Sequence, residues 1–285
     1  MLCEINKENE LKLYDYFTAL RASVPYYFRV SFEAWRESMF NDCDEDGKPL
    51  FSHLETFLLM DNDEINGFIQ YGLTSFVFGE HGEKDYTKQY AVIRNVHFIE
   101  NTANAHLLLD KATAYFDALG LGKRYAYFHY FGMRCYAGQG KLHESEFYIE
   151  KLLSKYGYVK EHENVYYTKD LQHANTSDVA EIKFIYEDNG QCISFERGSE
   201  KIGGCALNFL PQGAICFLKW IYIDEKYVHQ GLGTKCMHKL FHELKQKGVA
   251  RLDTDTPDSN TRAQGYYLKT GFADMGRMRS YFTVE

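Results

Sequence analysis

The sequence predicts a mixed α+β protein of two related halves, each a largely antiparallel sheet flanked by helices. Runs of period-two alternation, bounded by Gly, Asn, Asp or Pro, are interspersed with runs of helical spacing along the 285 residues. The order meander, helix, strand, helix, strand occurs twice, as an internal duplication of architecture would give. The composition agrees: 23 Tyr and 21 Phe against 4 Pro favour packed sheets and helices over linkers or disorder. A chain of this length accommodates two domains of ordinary size.

Residues 8–22 and 31–40 carry helical spacing through Leu11, Leu13, Tyr14, Phe17 and Leu20, then Phe32, Trp35 and Met39. "ETFLLMDNDEINGFIQYGLTSFVF" reads as two strands joined by a turn at Asp61–Glu64, and "YAVIRNVHFI" as a third. Residues 105–119 form a helix that Gly120 ends. "RYAYFHYF" is expected as a strand, "ESEFYIEKLLSKYGY" as a helix and "VYYTKDL" as a closing strand. The polar stretch "QHANTSD" (172–178) is the linker candidate, giving domains at 1–172 and 177–285.

The second half repeats the order in shorter form. "AEIKFIYED", "CISFERG", "KIGGCALNFL" and "AICFLKWIYID" are strands, and the first two are joined by only "DNG" (188–190) with no helices between. A helix from Gly231 to Lys247 follows, with Leu232, Cys236, Met237, Leu240, Phe241 and Leu244 in one apolar stripe. Then come the strand "ARLDTDT", a helix from Asn260 to Lys269 and strand material from Phe272.

A net charge of −8 argues against broad nucleic-acid binding, which needs a basic face. The seven cysteines lack a CxxC pair and read as free thiols of a reducing compartment. The N-terminus is charged from its fourth residue, unlike a signal peptide, and no apolar run spans a bilayer, so a soluble, cytoplasmic protein with no membrane partner is expected. His238 and His242 have the spacing of a helical metal pair but no third ligand nearby in sequence, so no metal is expected.

"YVHQGLGTKCMHKLF" (227–241) sets Gly231 and Gly233 at the mouth of a helix, where glycine costs stability. Alone, this is either a tight turn or backbone laid bare so that an anion reaches the helix N-terminus. A second stretch, "NTRAQGYYLKTGF" (260–272), has Asn260 as a cap, Ala263 and Tyr267 on one face, and Gly271 ending the turn. Together, in this order with a strand between, the two stretches resemble the GNAT superfamily of acyl-CoA-dependent N-acyltransferases. "VHQGLG" matches its pyrophosphate loop, Gln/Arg-x-x-Gly-x-Gly, and the second stretch its Asn…Ala…Tyr…Gly-Phe segment. The resemblance covers residues 179–285.

The resemblance implies acetyl-CoA as acyl donor, held by Ile221, Tyr222, Ile223, His229, Gln230, Gly231, Leu232, Gly233, Thr234, Asn260, Ala263 and Tyr267. It implies direct transfer to a primary amine, with a small molecule as the expected acceptor. Tyr267 stands at the position of the usual general acid, and a phenol with a reference pKa of about 10 carries its proton at neutral pH. Tyr266, one residue earlier, reads as packing. Val228 departs from the pattern where Gln or Arg is usual, which implies weaker binding that His229 and Gln230 compensate. The general base is open: Asp253 and Asp255 share one strand face, either as proton acceptors or as a solvent-facing pair near a sheet edge, and solvent itself is a third choice.

The first half resembles the same fold without the site. Its corresponding loop, "ENTANAHLLL" (100–109), has no glycine, and Leu153 falls where the Tyr would be. A structural or acceptor-binding role is expected for it. The aromatic stretch "RYAYFHYFGMRCY" (124–136) reads either as a nucleobase-stacking surface or as packing around a sheet edge or substrate pocket. Two other function classes fit the same features: a non-catalytic CoA-binding sensor or scaffold, and an aminoacyl transferase using charged tRNA.

Overall fold

A computed structural model describes residues 1–174, 176, 179–187, 190–210 and 213–284. Part of the linker candidate (175, 177 and 178) and Asp188 and Asn189 of "DNG" lie outside the described residues. The chain divides into two compact units, Met1–Glu163 with Met278–Glu285, and Asn164–Arg277.

The first unit contains β1 (Leu2–Glu4), α1 (Glu10–Arg21), α2 (Phe32–Phe40), β2 (Phe51–Asp61), β3 (Glu64–Thr74), the small hairpin β4 (Val77–Phe78) and β5 (Lys84–Asp85), and β6 (Ala91–Phe98). Then come α3 (His106–Ala118), β7 (Arg124–Ala126), β8 (Leu142–His143), α4 (Phe147–Lys155) and the start of β9 (Tyr158–Asp170). Its sheet runs β1-β2-β3-β6-β7, antiparallel except for the parallel pair β6·β7. Asn62 and Asp63 both take positive φ (47° and 67°), as a two-residue hairpin loop requires, so the turn falls where the sequence put it. Ser31 Oγ caps α2 by accepting from Ala34 N at 3.2 Å.

One element differs from expectation. The strand expected over "RYAYFHYF" stops at Ala126, because Tyr127 turns into the left-handed region (φ 52°), and a short 3₁₀ turn, His129–Phe131, follows. Tyr125, Tyr127, Phe128, Phe131 and Tyr136 of the aromatic stretch are all buried. These rings are core packing, unavailable for stacking on nucleobases.

The second unit begins within β9 and contains β10 (Ile182–Glu187), β11 (Cys192–Arg197), β12 (Glu200–Phe209), β13 (Ile215–Ile223), α5 (Leu232–Gln246), β14 (Arg251–Pro257), α6 (Thr261–Lys269) and the start of β15 (Ala273–Thr283). Its sheet order is β9-β14-β13-β12-β11-β10, with β13·β14 the parallel pair. Asn164–Asp170 of β9 pairs antiparallel with the whole of β14. A break at 172–177 would therefore part β14 from one of its two neighbours, which is why the compact unit starts at Asn164 instead.

The stripe expected on α5 is buried as a face: Leu232, Cys236, Met237, Leu240, Phe241 and Leu244, joined by Lys239. Lys239 manages burial by laying its ammonium 5.5 Å from the Phe184 ring centroid and 3.3 Å from Glu243. Each buried Leu contributes about 1.5–3 kcal/mol. The stripe rests on Ile193, Phe195, Ile202, Leu207, Cys216 and Leu218, so the helix N-terminus is carried to the end of β13. Cys205 and Cys216 are fully buried, and burial pushes the Cys216 thiol up to about 12. Both are unreactive core residues, as the apolar strand patterns suggested. Among the described residues, no helix is long and apolar enough to cross a membrane.

Candidate functional site

The site begins with two strands that separate. The pairing of β13 with β14 runs from Ile215↔Arg251 to Leu218↔Thr254 and ends there. A bulge in the β12·β13 pairing sets the next residue, Lys219, out of register: Leu207 faces Leu218 and Ala206 faces Trp220. Past that point the backbone of β13 is free of a ladder on the β14 side. Thr254 Oγ1 donates to Leu218 O at 2.9 Å and closes the apex of the V.

A cleft of about 600 Å³ opens from this V. One wall is Ile221, Tyr222 and Ile223 of β13; a second is the turn from Tyr227 into α5; the third is the first face of α6. In the turn, His229 and Gly231 take positive φ (63° and 76°), which bends the chain so that α5 starts at Leu232 with its N-terminus facing the cleft. The first-turn N–H groups of a helix have no intrahelical acceptor. Gly231 has nothing within 4 Å of where a Cβ would stand, so its requirement is conformational. At Gly233 a Cβ would stand 3.5 Å from the Tyr266 ring and 3.6 Å from Ile223 Cγ1. A methyl fits there; a branched side chain has to project into the cleft or displace Tyr266.

α6 supplies the facing residues. Asn260 caps it, accepting from Ala263 N at 3.1 Å. Ala263, Tyr266 and Tyr267 follow along one face and line the cleft. Tyr267 is buried against Tyr167 and Phe272, with ring centroids 5.4 Å away in each case. The Thr254 side chain lies near enough to act on its hydroxyl, so the phenol stands towards the apex of the V. Burial raises its pKa, the Thr254 side chain partly offsets this, and the nearby Asp255 charge adds to the rise. The phenol is therefore protonated throughout the neutral range.

Of the residues singled out from the sequence, Ile221, Tyr222, Ile223, His229, Gly231, Leu232, Gly233, Thr234, Asn260, Ala263 and Tyr267 come together around this cleft. Gln230 does not: its amide donates to Lys226 O at 3.1 Å and braces the turn from behind. Val228 lines the cleft and is half-buried. Tyr266 is more than packing, because its hydroxyl donates to Gly233 O at 2.8 Å and ties α6 to the first turn of α5. That role was hidden in sequence, since it depends on the tertiary approach of two helices. Arg262 and Lys269 also line the cleft, and among the described residues no Asp or Glu does.

Asp253 and Asp255 separate in character. β14 lies inside the sheet, between β9 and β13, so the sheet-edge reading is overturned. Asp253 is fully buried and accepts from Tyr166 Oη (2.7 Å), Thr168 Oγ1 (2.7 Å) and Arg251 Nε (3.0 Å). Burial raises its pKa against the pull of Arg251 and the two hydroxyls. It lies outside the cleft lining and serves as a buried acceptor. Asp255 is half-buried, accepts from Asn164 Nδ2 at 3.1 Å, and is the carboxylate whose field reaches Tyr267.

The first unit repeats the framework and closes it. Its parallel pair β6·β7 also ends early, at Ile93↔Ala126, and a bulge sets Arg94 out of register as Lys219 is. Here Tyr127 fills the gap. Its hydroxyl donates to Val96 O and accepts from Val96 N at 3.3 Å. The loop before α3 still turns through left-handed residues, Asn101 and Asn104 (φ 68° and 64°), so the missing glycine does not abolish its path. Leu153 occupies the place in α4 that Tyr267 has in α6, four residues before Gly157 as Tyr267 is before Gly271, and is buried in the core.

Sequence and fold comparisons agree with this geometry. The profile described as "Acetyltransferase (GNAT) family" matches residues 155–272. No curated protein matches the sequence. Among solved structures, a tandem GNAT protein from the clavulanic acid biosynthesis pathway aligns over 99% of this chain and 98% of its own, at TM-score 0.61 and 10% identity. A GCN5-related N-acetyltransferase from Sphaerobacter thermophilus aligns over 99% and 95%, at TM-score 0.64 and 10% identity. A glucosamine N-acetyltransferase region of a fungal multi-domain GH3 β-N-acetylglucosaminidase aligns at TM-score 0.63 and 12% identity; this chain is covered to 99% and spans 38% of that one. At such identities the likeness is one of fold.

Replacing Asp253 by Ala removes a buried acceptor from the Tyr166 hydroxyl and is expected to cost about 1–3 kcal/mol in urea unfolding. Unchanged stability with lost transfer activity would instead make Asp253 a participant in the chemistry.

Proposed function

We propose, for a chain that carries a GNAT-family acetyltransferase domain over residues 155–272, that its second unit moves an acetyl group from acetyl-CoA to a primary amine by direct attack on the thioester. The observation that carries this reading is Tyr267 at the apex of a cleft whose lining holds two cations, a glycine-opened helix N-terminus and no carboxylate. Those groups suit an elongated polyanion with an uncharged reactive end.

Acetyl-CoA supplies the activated acyl group. The N–H groups around Gly231–Thr234 would hold its pyrophosphate, with Arg262 and Lys269 adding charge at the rim. The free backbone of Ile221–Ile223 offers donors and acceptors to the extended arm and to the carbonyl oxygen, where negative charge develops during attack. Tyr267 holds its proton at Oη for the departing sulfur. The incoming amine sheds a proton; Asp255 is the carboxylate placed to influence this end of the cleft, and solvent serves equally. A small molecule is the acceptor we favour, by analogy with neighbours named for glucosamine N-acetylation and for the clavulanic acid biosynthesis pathway. Turnover of acetyl-CoA by the full-length chain against a panel of amines tests the reading: tight CoA binding with no turnover on any amine would leave a sensor or scaffold.

Gly233→Val is expected to weaken CoA affinity at least about tenfold by calorimetry in a folded variant, since its γ-carbons project into the cleft. Undiminished affinity would move the phosphate site away from α5. Tyr267→Phe keeps the ring and its packing, and is expected to lower kcat by about a hundredfold to ten-thousandfold while leaving CoA affinity almost unchanged. The pH profile adds a second reading. Because burial raises the pKa of Tyr267, its acid form persists above the ordinary value of about 10, and kcat should show no falling alkaline limb below that pH from this group. A limb centred near pH 8 that vanishes in Tyr267→Phe would contradict the shifted phenol.

A further inference from the structure

We propose that His129, Glu161 and His162 of the first unit form a binding site for a divalent transition-metal ion, with zinc the ion that fits best. His129 opens the short turn His129–Phe131, while Glu161 and His162 lie on β9. The fold brings one ligand atom from each within 4.8 Å of the others. The imidazole rings meet edge to face, with centroids 5.1 Å apart.

A second observation points to a ligand. His129 Nδ1 is buried and has no hydrogen-bond partner among the described residues. A polar ring nitrogen left unpaired in the interior costs free energy that a coordinate bond or a bound ion's water would recover. Glu161 is oriented from behind by Ser280 Oγ at 3.2 Å, the kind of outer hydrogen bond that holds a ligating carboxylate.

Two imidazoles and a carboxylate are a borderline donor set that suits zinc, with water completing the shell. A tetrahedral ion with bonds of about 2.0–2.1 Å needs its ligand atoms about 3.3 Å apart, inside the 4.8 Å limit of this cluster. His162 is the exposed member and can swing to reach that spacing. Lys141 lies near enough to act on His129 electrostatically and opposes a cation, so the Glu161 charge is essential to the site. The bound ion would clasp the His129 turn to β9, a cross-link within the first unit, and the proposal is independent of acyl transfer.

The test uses the untagged full-length chain, stripped with a chelator and titrated with Co2+ as a spectroscopic probe. Stoichiometric binding with ligand-field bands, displaced by Zn2+, is expected, together with a Zn2+-dependent rise in Tm. His162→Ala and Glu161→Gln should each weaken binding by at least about tenfold and abolish the Tm rise. His162 is exposed, and Glu161→Gln keeps the size and shape of a largely covered side chain, so the variants are expected to fold where His129→Ala need not. Absence of the bands, or affinity and Tm response unchanged in both variants, would overturn the proposal.

Discussion

The second unit depends on one constraint: two parallel strands leave their ladder at a fixed point. Leu218↔Thr254 is the last pair of β13·β14, and the Thr254 Oγ1 bond to Leu218 O seals the apex. A strand that leaves its partner exposes unsatisfied N–H and C=O groups, which is costly unless something satisfies them. The bulge at Lys219 lets β13 keep its pairing with β12 while it turns away from β14. Backbone groups, helix N-terminus and phenol all face the resulting gap. The cleft is therefore a property of strand divergence, and the glycines and Tyr267 shape its lining.

The first unit shows the same constraint resolved internally. There the bulge and the divergence both persist, but the Val96 peptide is satisfied on both sides by the Tyr127 hydroxyl. The cost is a bulky residue held at φ 52°. Leu153 replaces the phenol that the second unit keeps, and packs into the core. A gap between diverging strands cannot stay unfilled, and a tyrosine is large enough to occupy it and polar enough to satisfy the backbone.

Legibility of the sequence followed the range of the interactions. Helices and strands that signal through local period were readable: α5 buries the stripe expected of it, and Asn62–Asp63 turns the hairpin. The site was readable because its parts sit in two short stretches whose spacing is set by one helix N-terminus and one helix face. What escaped depends on distant partners. The strand after Arg124 is cut short by a bond from Tyr127 to Val96, and Tyr266 owes its role to a carbonyl on another helix. Asp253 and Asp255 alternate correctly on one face, yet only the position of β14 between two strands shows that the first is saturated by Tyr166, Thr168 and Arg251.

Net charge is a poor guide to what this cleft attracts. The chain carries 40 acidic residues against 32 basic ones, but fields from exposed charges fade over about 8–10 Å in physiological salt. What a ligand meets is set locally. Two carboxylates of this unit are engaged in pairs of their own: Glu181 pairs with Lys235 and Arg197, and Glu200 accepts from Tyr227. Exposed ion pairs such as those of Glu181 add little to stability. In the lining itself the helix dipole, Arg262 and Lys269 are the positive contributions, set against the Asp255 charge that reaches Tyr267. An acidic protein can thus line a cleft with cations.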